Sequence, residues 1–125
     1  MPDLIVCYRY YNVRTTVKKK LYALVKNIGS RSSEACKLSF GISSKGIRLF
    51  KIPALDPGEV FRVYRIVRWY TKGVRRVVLK VDPDNKVVEL NEKNNKAETK
   101  VRVTLLADKY KFLGYKCSDG SNIGN

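Results

Sequence analysis

The sequence predicts an all-β protein, an antiparallel β-sandwich of about seven strands. Two observations carry that prediction. Short runs rich in Val, Ile, Leu, Tyr and Phe recur roughly every 10–15 residues between turn residues, and within most of them apolar and polar residues alternate, the period of a strand with one face buried. No stretch sustains the 3.6-residue period of an amphipathic helix. A chain of 125 residues suits one domain, and its 44% hydrophobic content excludes a disordered chain.

The elements follow in order. LIVCYRYY (4–11) is the first strand. In VKKKLYALVKN (17–27), Val17, Leu21, Ala23 and Val25 share one face; Lys19 breaks that face, so the strand enters the core from Leu21 onward. NIGSRSS is a loop, then EACKLSFGI (34–42) and GIRLFKI (46–52) form a pair of shorter strands. PALDPGE is a turn in which Pro57 fixes φ and Gly58 permits a positive φ. VFRVYRIVRWY (60–70) is the longest strand, with Phe61, Val63, Val67 and Trp69 in phase; Arg65 interrupts that phase and predicts a bulge. VRRVVLKV (74–81) turns Val77, Leu79 and Val81 inward, and KAETKVRVTLL (96–106) places Thr99, Val101, Val103 and Leu105 on one side. Residues 1–106 are thus read as the sandwich. Residues 107–125 are a C-terminal extension, with one edge strand through KYKFLGYK and a disordered tail over the last eight residues.

Charge and cysteine content narrow the function classes. Lys plus Arg total 26 against 11 Asp plus Glu, a net charge of +15, which attracts polyanions such as nucleic acid or acidic glycan. There is no His and no Gln, a composition that fits a thermophile. Cys7, Cys36 and Cys117 are widely spaced without a CxxC, which disfavours zinc and allows at most one disulfide. Cys36 falls in phase with Leu38, Phe40 and Ile42 and reads as a small buried hydrophobe. No apolar run approaches the ~18 residues of a membrane span, and the opening residues look like a first strand rather than a signal peptide.

PDLIV at the start, VKNIG at the close of the second strand, LDPGE before the long strand and VDPDNKVVELNEKNN after the sixth stand in a definite order, with Trp69 near the end of the long strand. From Pro2 to Val103 this arrangement resembles CARDB, the cell-adhesion-related domain of bacteria and archaea. The resemblance implies an immunoglobulin-like or fibronectin-type-III-like sandwich of seven strands and a non-catalytic module, usually one bead of a larger surface or secreted protein.

DPDNKVVELNEKNN (82–95) is the one acidic segment. As an EF-hand starting at Asp82 it fails, because Lys86, Val87 and Lys93 occupy the distinguishing positions 5, 6 and 12. A different calcium site would have to gather Asp82, Asp84, Asn85, Glu89 and Glu92, with Lys86 and Lys93 inside the same stretch. A turn at Asp82-Pro83-Asp84-Asn85, with Asn side chains capping the backbone of a crossover, needs fewer assumptions. No cofactor is required.

YRYYNVR, FRVYRIVRWYTKGVRR and KYKFLGYK interleave cations with aromatics. The candidate polyanion-binding residues are Lys18, Lys20, Lys26, Arg62, Arg68, Arg76, Lys80, Lys100 and Arg102, each on the polar phase of its strand; their grouping onto one sheet face is a hypothesis. With no His, nucleophile elbow or phosphate loop, catalysis has no candidate site. The sequence therefore reads as a binding, adhesion or structural module that contacts another protein or a polyanion. The alternative is a basic nucleic-acid-binding accessory protein, viral or chromosomal in a thermophile, and a third reading is self-association by edge-strand pairing. The location would be the cell surface for a domain excised from a larger protein, and the cytoplasm or a virus for a free-standing one.

Overall fold

The computed structural model describes residues 2–82, 95–105 and 114–124. The described strands are β1 (Leu4–Tyr8), β2 (Tyr11–Arg14), β3 (Lys19–Asn27), β4 (Cys36–Ile42), β5 (Gly46–Ile52), β6 (Val60–Val67), β7 (Gly73–Val81), β8 (Lys96–Thr104), β9 (Tyr115–Cys117) and β10 (Asn122–Ile123). They form two sheets, β10-β9-β1-β3-β6 and β2-β8-β7-β4-β5. The inward phases of both supply one core, in which Leu21, Val25, Leu38, Phe40, Leu79 and Val101 are buried. Lys19 and Lys20 are exposed and burial begins at Leu21.

The first predicted strand is divided. Its pairing with β3 runs from Leu4↔Asn27 to Cys7↔Leu24; after Tyr8 the chain crosses to the other sheet, where β2 runs parallel to β8. Crossing keeps Tyr11 and Val13 in the core. It also removes the strand that would have faced Tyr22, and the Tyr11 hydroxyl takes its place by accepting the Tyr22 N–H at 3.0 Å. Strand exchange is thus paired with a hydroxyl that satisfies the amide it leaves open.

No bulge occurs in β6: pairing with β3 is continuous from Lys19↔Val67 to Lys26↔Val60. Arg65 is accommodated because β6 is an edge strand, so an inward-phase side chain can reach the mouth of the sandwich. There its guanidinium donates to the carbonyls of Phe40 at 2.7 Å, Gly46 at 2.9 Å and Lys45 at 3.2 Å.

The C-terminal residues also depart from the expectation of a disordered tail. Cys7 and Cys117 are register partners on β1 and β9 and form a disulfide across a sequence separation of 110. Gly120, at φ 92°, turns the chain so that β10 pairs with β9, and Asp119 accepts from the Ser121 N–H and hydroxyl. Ile5, Cys7, Leu24 and Cys117 form a second buried cluster, against which Tyr115 and Ile123 pack. Cys36 is free and buried. The part of KYKFLGYK before Gly114 lies outside the described residues.

At one end of the strands, Asn27 joins three segments. Its side-chain oxygen accepts from Asp3 N at 3.2 Å and Gly29 N at 2.9 Å, while its amide donates to Arg31 O at 2.7 Å and Leu55 O at 2.9 Å. Its own N–H donates to Glu59 O, and its carbonyl accepts from Gly58 N. Gly58, at φ 86°, stands third in a turn closed by Glu59 N to Asp56 O, as Asp56-Pro57-Gly58-Glu59 predicts.

Two outcomes follow for stability. Asn27→Ala leaves buried donors and acceptors in three segments without partners and lowers unfolding free energy by about 3 kcal/mol; Asn27→Asp, which sets a carboxylate against two carbonyls, costs at least as much. Chemical denaturation with an unchanged slope would show both. Removing the disulfide with Cys7→Ala and Cys117→Ala lowers stability by about 3–5 kcal/mol, because the closed loop is long; a midpoint equal to wild type would contradict that role.

Candidate functional site

The outer face of the β7–β8 pair is cationic by register. Val77, Leu79, Val81, Ala97, Val101 and Val103 occupy the buried phase, which leaves Arg76 beside Lys100, Lys80 beside Lys96 and Val74 beside Arg102 on the outer one. Arg14, exposed on β2, extends this face beside Thr104. Glu98 lies among these cations and takes Arg76 in a two-pronged ion pair, with Nη2 at 2.6 Å and Nε at 3.2 Å. Hydrogen bonding to Arg76 holds the Glu98 carboxyl below its ordinary pKa. Among the described residues this is the one ion pair. Sequence reading identified Arg76, Lys80, Lys100 and Arg102 but missed Arg14 and Lys96, whose polar phase was the available signal.

A different arrangement covers the outer face of the β3–β6 pair. Lys20 lies beside Ile66, Tyr22 beside Tyr64, Leu24 beside Arg62 and Lys26 beside Val60. The two tyrosine rings tilt against each other with centroids 5.9 Å apart; Lys20 Nζ sits 4.8 Å from the Tyr64 ring and the Arg62 guanidinium 4.9 Å from the Tyr22 ring. Such contacts hold flexible cations over aromatic faces. Lys18 and Arg68 belong to neither face. They flank the far end of the strands, where Arg68 donates to the Tyr70 hydroxyl at 3.5 Å and where Lys45 and Arg75 lie over the Trp69 ring at 5.5 and 5.7 Å. The predicted cations therefore divide between two opposite sheet faces and one end.

Between the two faces, the sandwich is open along the edges of β5 and β6. A groove of about 520 Å³ lies there, lined by Arg48, Phe50, Lys51, Phe61, Arg62, Val63, Tyr64 and Ile66. Arg48 occupies the inward phase of β5, opposite Phe40, with its guanidinium 5.0 Å from the Phe50 ring. Burial, and then the neighbouring Arg48 charge, hold the Arg65 pKa below its ordinary value.

Of the calcium candidates only Asp82 is described; Asp84, Asn85, Glu89 and Glu92 lie outside the described residues. Asp82 is buried, has φ 53° and donates its N–H to Lys37 O at 2.7 Å. Among the described residues no three His, Cys, Asp or Glu side chains gather to hold a metal ion, and no helix is long and apolar enough to cross a membrane.

The CARDB family model matches residues 1–99, and the chain belongs to that family. It is similar to the CARDB domain of a Pyrococcus furiosus protein described in complex with di-metal ions, at 29% identity and a TM-score of 0.74, covering 82% of this chain and 89% of that one. A solution structure of the Pyrococcus furiosus CARDB domain aligns at 29% identity and a TM-score of 0.73 over 84% of this chain and 97% of that one. A Methanosarcina acetivorans domain, at 22% identity and a TM-score of 0.63 over 83% of this chain and 93% of that one, shares the fold. No curated protein matches the chain in sequence. The family is one of adhesion-related immunoglobulin-like modules, not known as enzymes.

Tyr11 offers a titration of the junction between the sheets. Burial pushes its hydroxyl up to about 12 from 10.0. Since the folded pKa is raised, the stability carried by the neutral hydroxyl is complete below pH 10 and is lost as pH climbs through about 12. Tyr11→Phe abolishes about 2–3 kcal/mol of that alkaline loss, measured as the difference between variant and wild-type denaturation across this range.

Proposed function

We propose that this CARDB domain works as a non-catalytic adhesion module that grips acidic partners, protein or polyanion, through the outer faces of its sheets. The observation that carries the reading is the β7–β8 face, where Lys80, Lys96, Lys100 and Arg102 surround one Arg76–Glu98 pair. Charges fixed on a rigid sheet attract a polyanion without needing a shaped pocket, and the attraction weakens with salt. The Cys7–Cys117 disulfide supports an oxidising setting such as a cell surface, or the interior of a hyperthermophile. The Pyrococcus furiosus neighbour is described in complex with di-metal ions. Of the candidate ligands in this chain, Asp82 lies among the described residues.

Nucleic acid is the second reading, favoured by the Tyr22–Tyr64 pair flanked by Lys20 and Arg62, because rings beside cations suit unpaired bases above phosphates. One titration separates the two. Labelled heparin, single-stranded DNA and double-stranded DNA are expected to bind alike and to lose about a hundredfold in affinity between ~50 and ~200 mM salt. Lys100→Glu with Arg102→Glu lowers the salt slope by about two units. Binding of one nucleic-acid form that persists at the upper salt would move the assignment to nucleic acid. Absence of binding to any of the three would overturn the polyanion reading.

A further inference from the structure

We propose that the open side of the sandwich, between the free edges of β5 and β6, docks an extended acidic segment of a partner protein, which adds to β5 as a further strand. The proposal deepens the reading of acidic partners and rests on it.

Among the described residues β5 and β6 each end their sheets, so the backbone groups along one side of each have no described strand partner. Natural edges of this kind are blunted by charge, bulges or short length. β5 runs seven residues in unbroken register with β4. Its outer phase carries Ile47 and Leu49, 75% and 55% exposed, and Ile66 on β6 is 57% exposed. Gly41, beneath Ile47, leaves its side chain flat on the sheet: a Cβ there would meet Ile47 Cγ1 at 3.3 Å.

Charge selects the occupant. Every charged residue on β3, β4, β5 and β6 is Lys or Arg. Arg65 is occupied by three carbonyls, whereas Arg48, Lys51 and Arg62 form no ion pair among the described residues. A strand lying against β5 sets alternate side chains on opposite faces. One set would cover Ile47 and Leu49, and the other would point into the groove beside Arg48 and Phe50. The fitting segment therefore alternates apolar residues with Asp or Glu. A second copy of this chain fits poorly, since it would place like charges across the new pair between molecules of net charge +15.

The test is fluorescence polarisation at ~150 mM salt with a labelled peptide of about eight residues that alternates Glu and Val. Its controls are the same peptide with a central Pro, an all-Glu peptide of equal length, and heparin. Docking is expected to weaken by about tenfold or more when Pro removes the ladder N–H, and comparably in Arg48→Glu and in Leu49→Lys. The Lys100→Glu, Arg102→Glu variant should bind the peptide as wild type does. Both edge residues are exposed, and unchanged thermal midpoints identify folded variants. Binding of the all-Glu and Pro peptides as tight as that of the alternating Glu and Val peptide would overturn the groove and leave the polyanion reading standing, as would heparin binding without peptide binding. Failure of both probes would remove the two together. A concentration-dependent dimer dissolved by Leu49→Lys would assign the edge to a second copy and overturn the proposal.

Discussion

Asn27 has no exposed surface, and its amide is satisfied on every side by backbone from the N-terminal entry, the loop after β3 and the turn before β6. A buried amide with four side-chain hydrogen bonds is favourable only when all of them are made at once, so the three segments are held to a single joint arrangement. Ser33 adds to the same knot: its N–H donates to Leu55 O, and its hydroxyl accepts from Leu55 N at 3.1 Å. The turn before β6 sets where that edge strand begins, and β6 forms one wall of the groove. The geometry of the open side therefore depends on a polar knot at the end of the strands. It also gives a physical reason for the co-occurrence of PDLIV, VKNIG and LDPGE: each supplies part of one hydrogen-bond network around Asn27.

The opposite end is held by different means. Trp69 is buried, its indole N–H donates to Ser44 Oγ at 3.1 Å, and its carbonyl receives Thr16 N at 2.7 Å. Lys45 and Arg75 cover its ring while Lys45 Nζ donates to Arg68 O at 2.8 Å. One end is closed by a neutral amide and the other by cations over an indole. Neither closure uses an ion pair among the described residues, and positive charge lies on the outer faces, along the open edge and over the Trp69 end.

Strand identity and phase were legible in the sequence wherever apolar and polar residues alternate, as in β4, β7 and β8. So were the Pro57-Gly58 turn and the burial of Cys36. Alternation states which side of a strand faces inward, but not to which sheet the strand belongs. For that reason the crossing between Tyr8 and Tyr11 was hidden, and so was the division of the candidate cations between opposite faces. Arg65 looked like a defect because its phase is apolar elsewhere; only an edge position and three nearby carbonyls make it suitable. The pairing of Cys7 with Cys117 depends on β9 lying beside β1, which no local pattern announces.

The disulfide has a mechanical consequence. It joins residues near the two ends of the chain, so tension applied at the termini passes from Cys7 to Cys117 through a covalent bond and bypasses the strands between them. Ladders formed wholly between Cys7 and Cys117 carry none of it, and the load reaches only the pairings of residues 4–6 with β3 and of β10 with β9. The intervening sequence adds no slack, and the domain transmits force as a short inextensible link for as long as the bond remains oxidised. Both outer faces and the open edge keep their shape under tension, since the two sheets that shape them lie almost entirely within the bypassed segment.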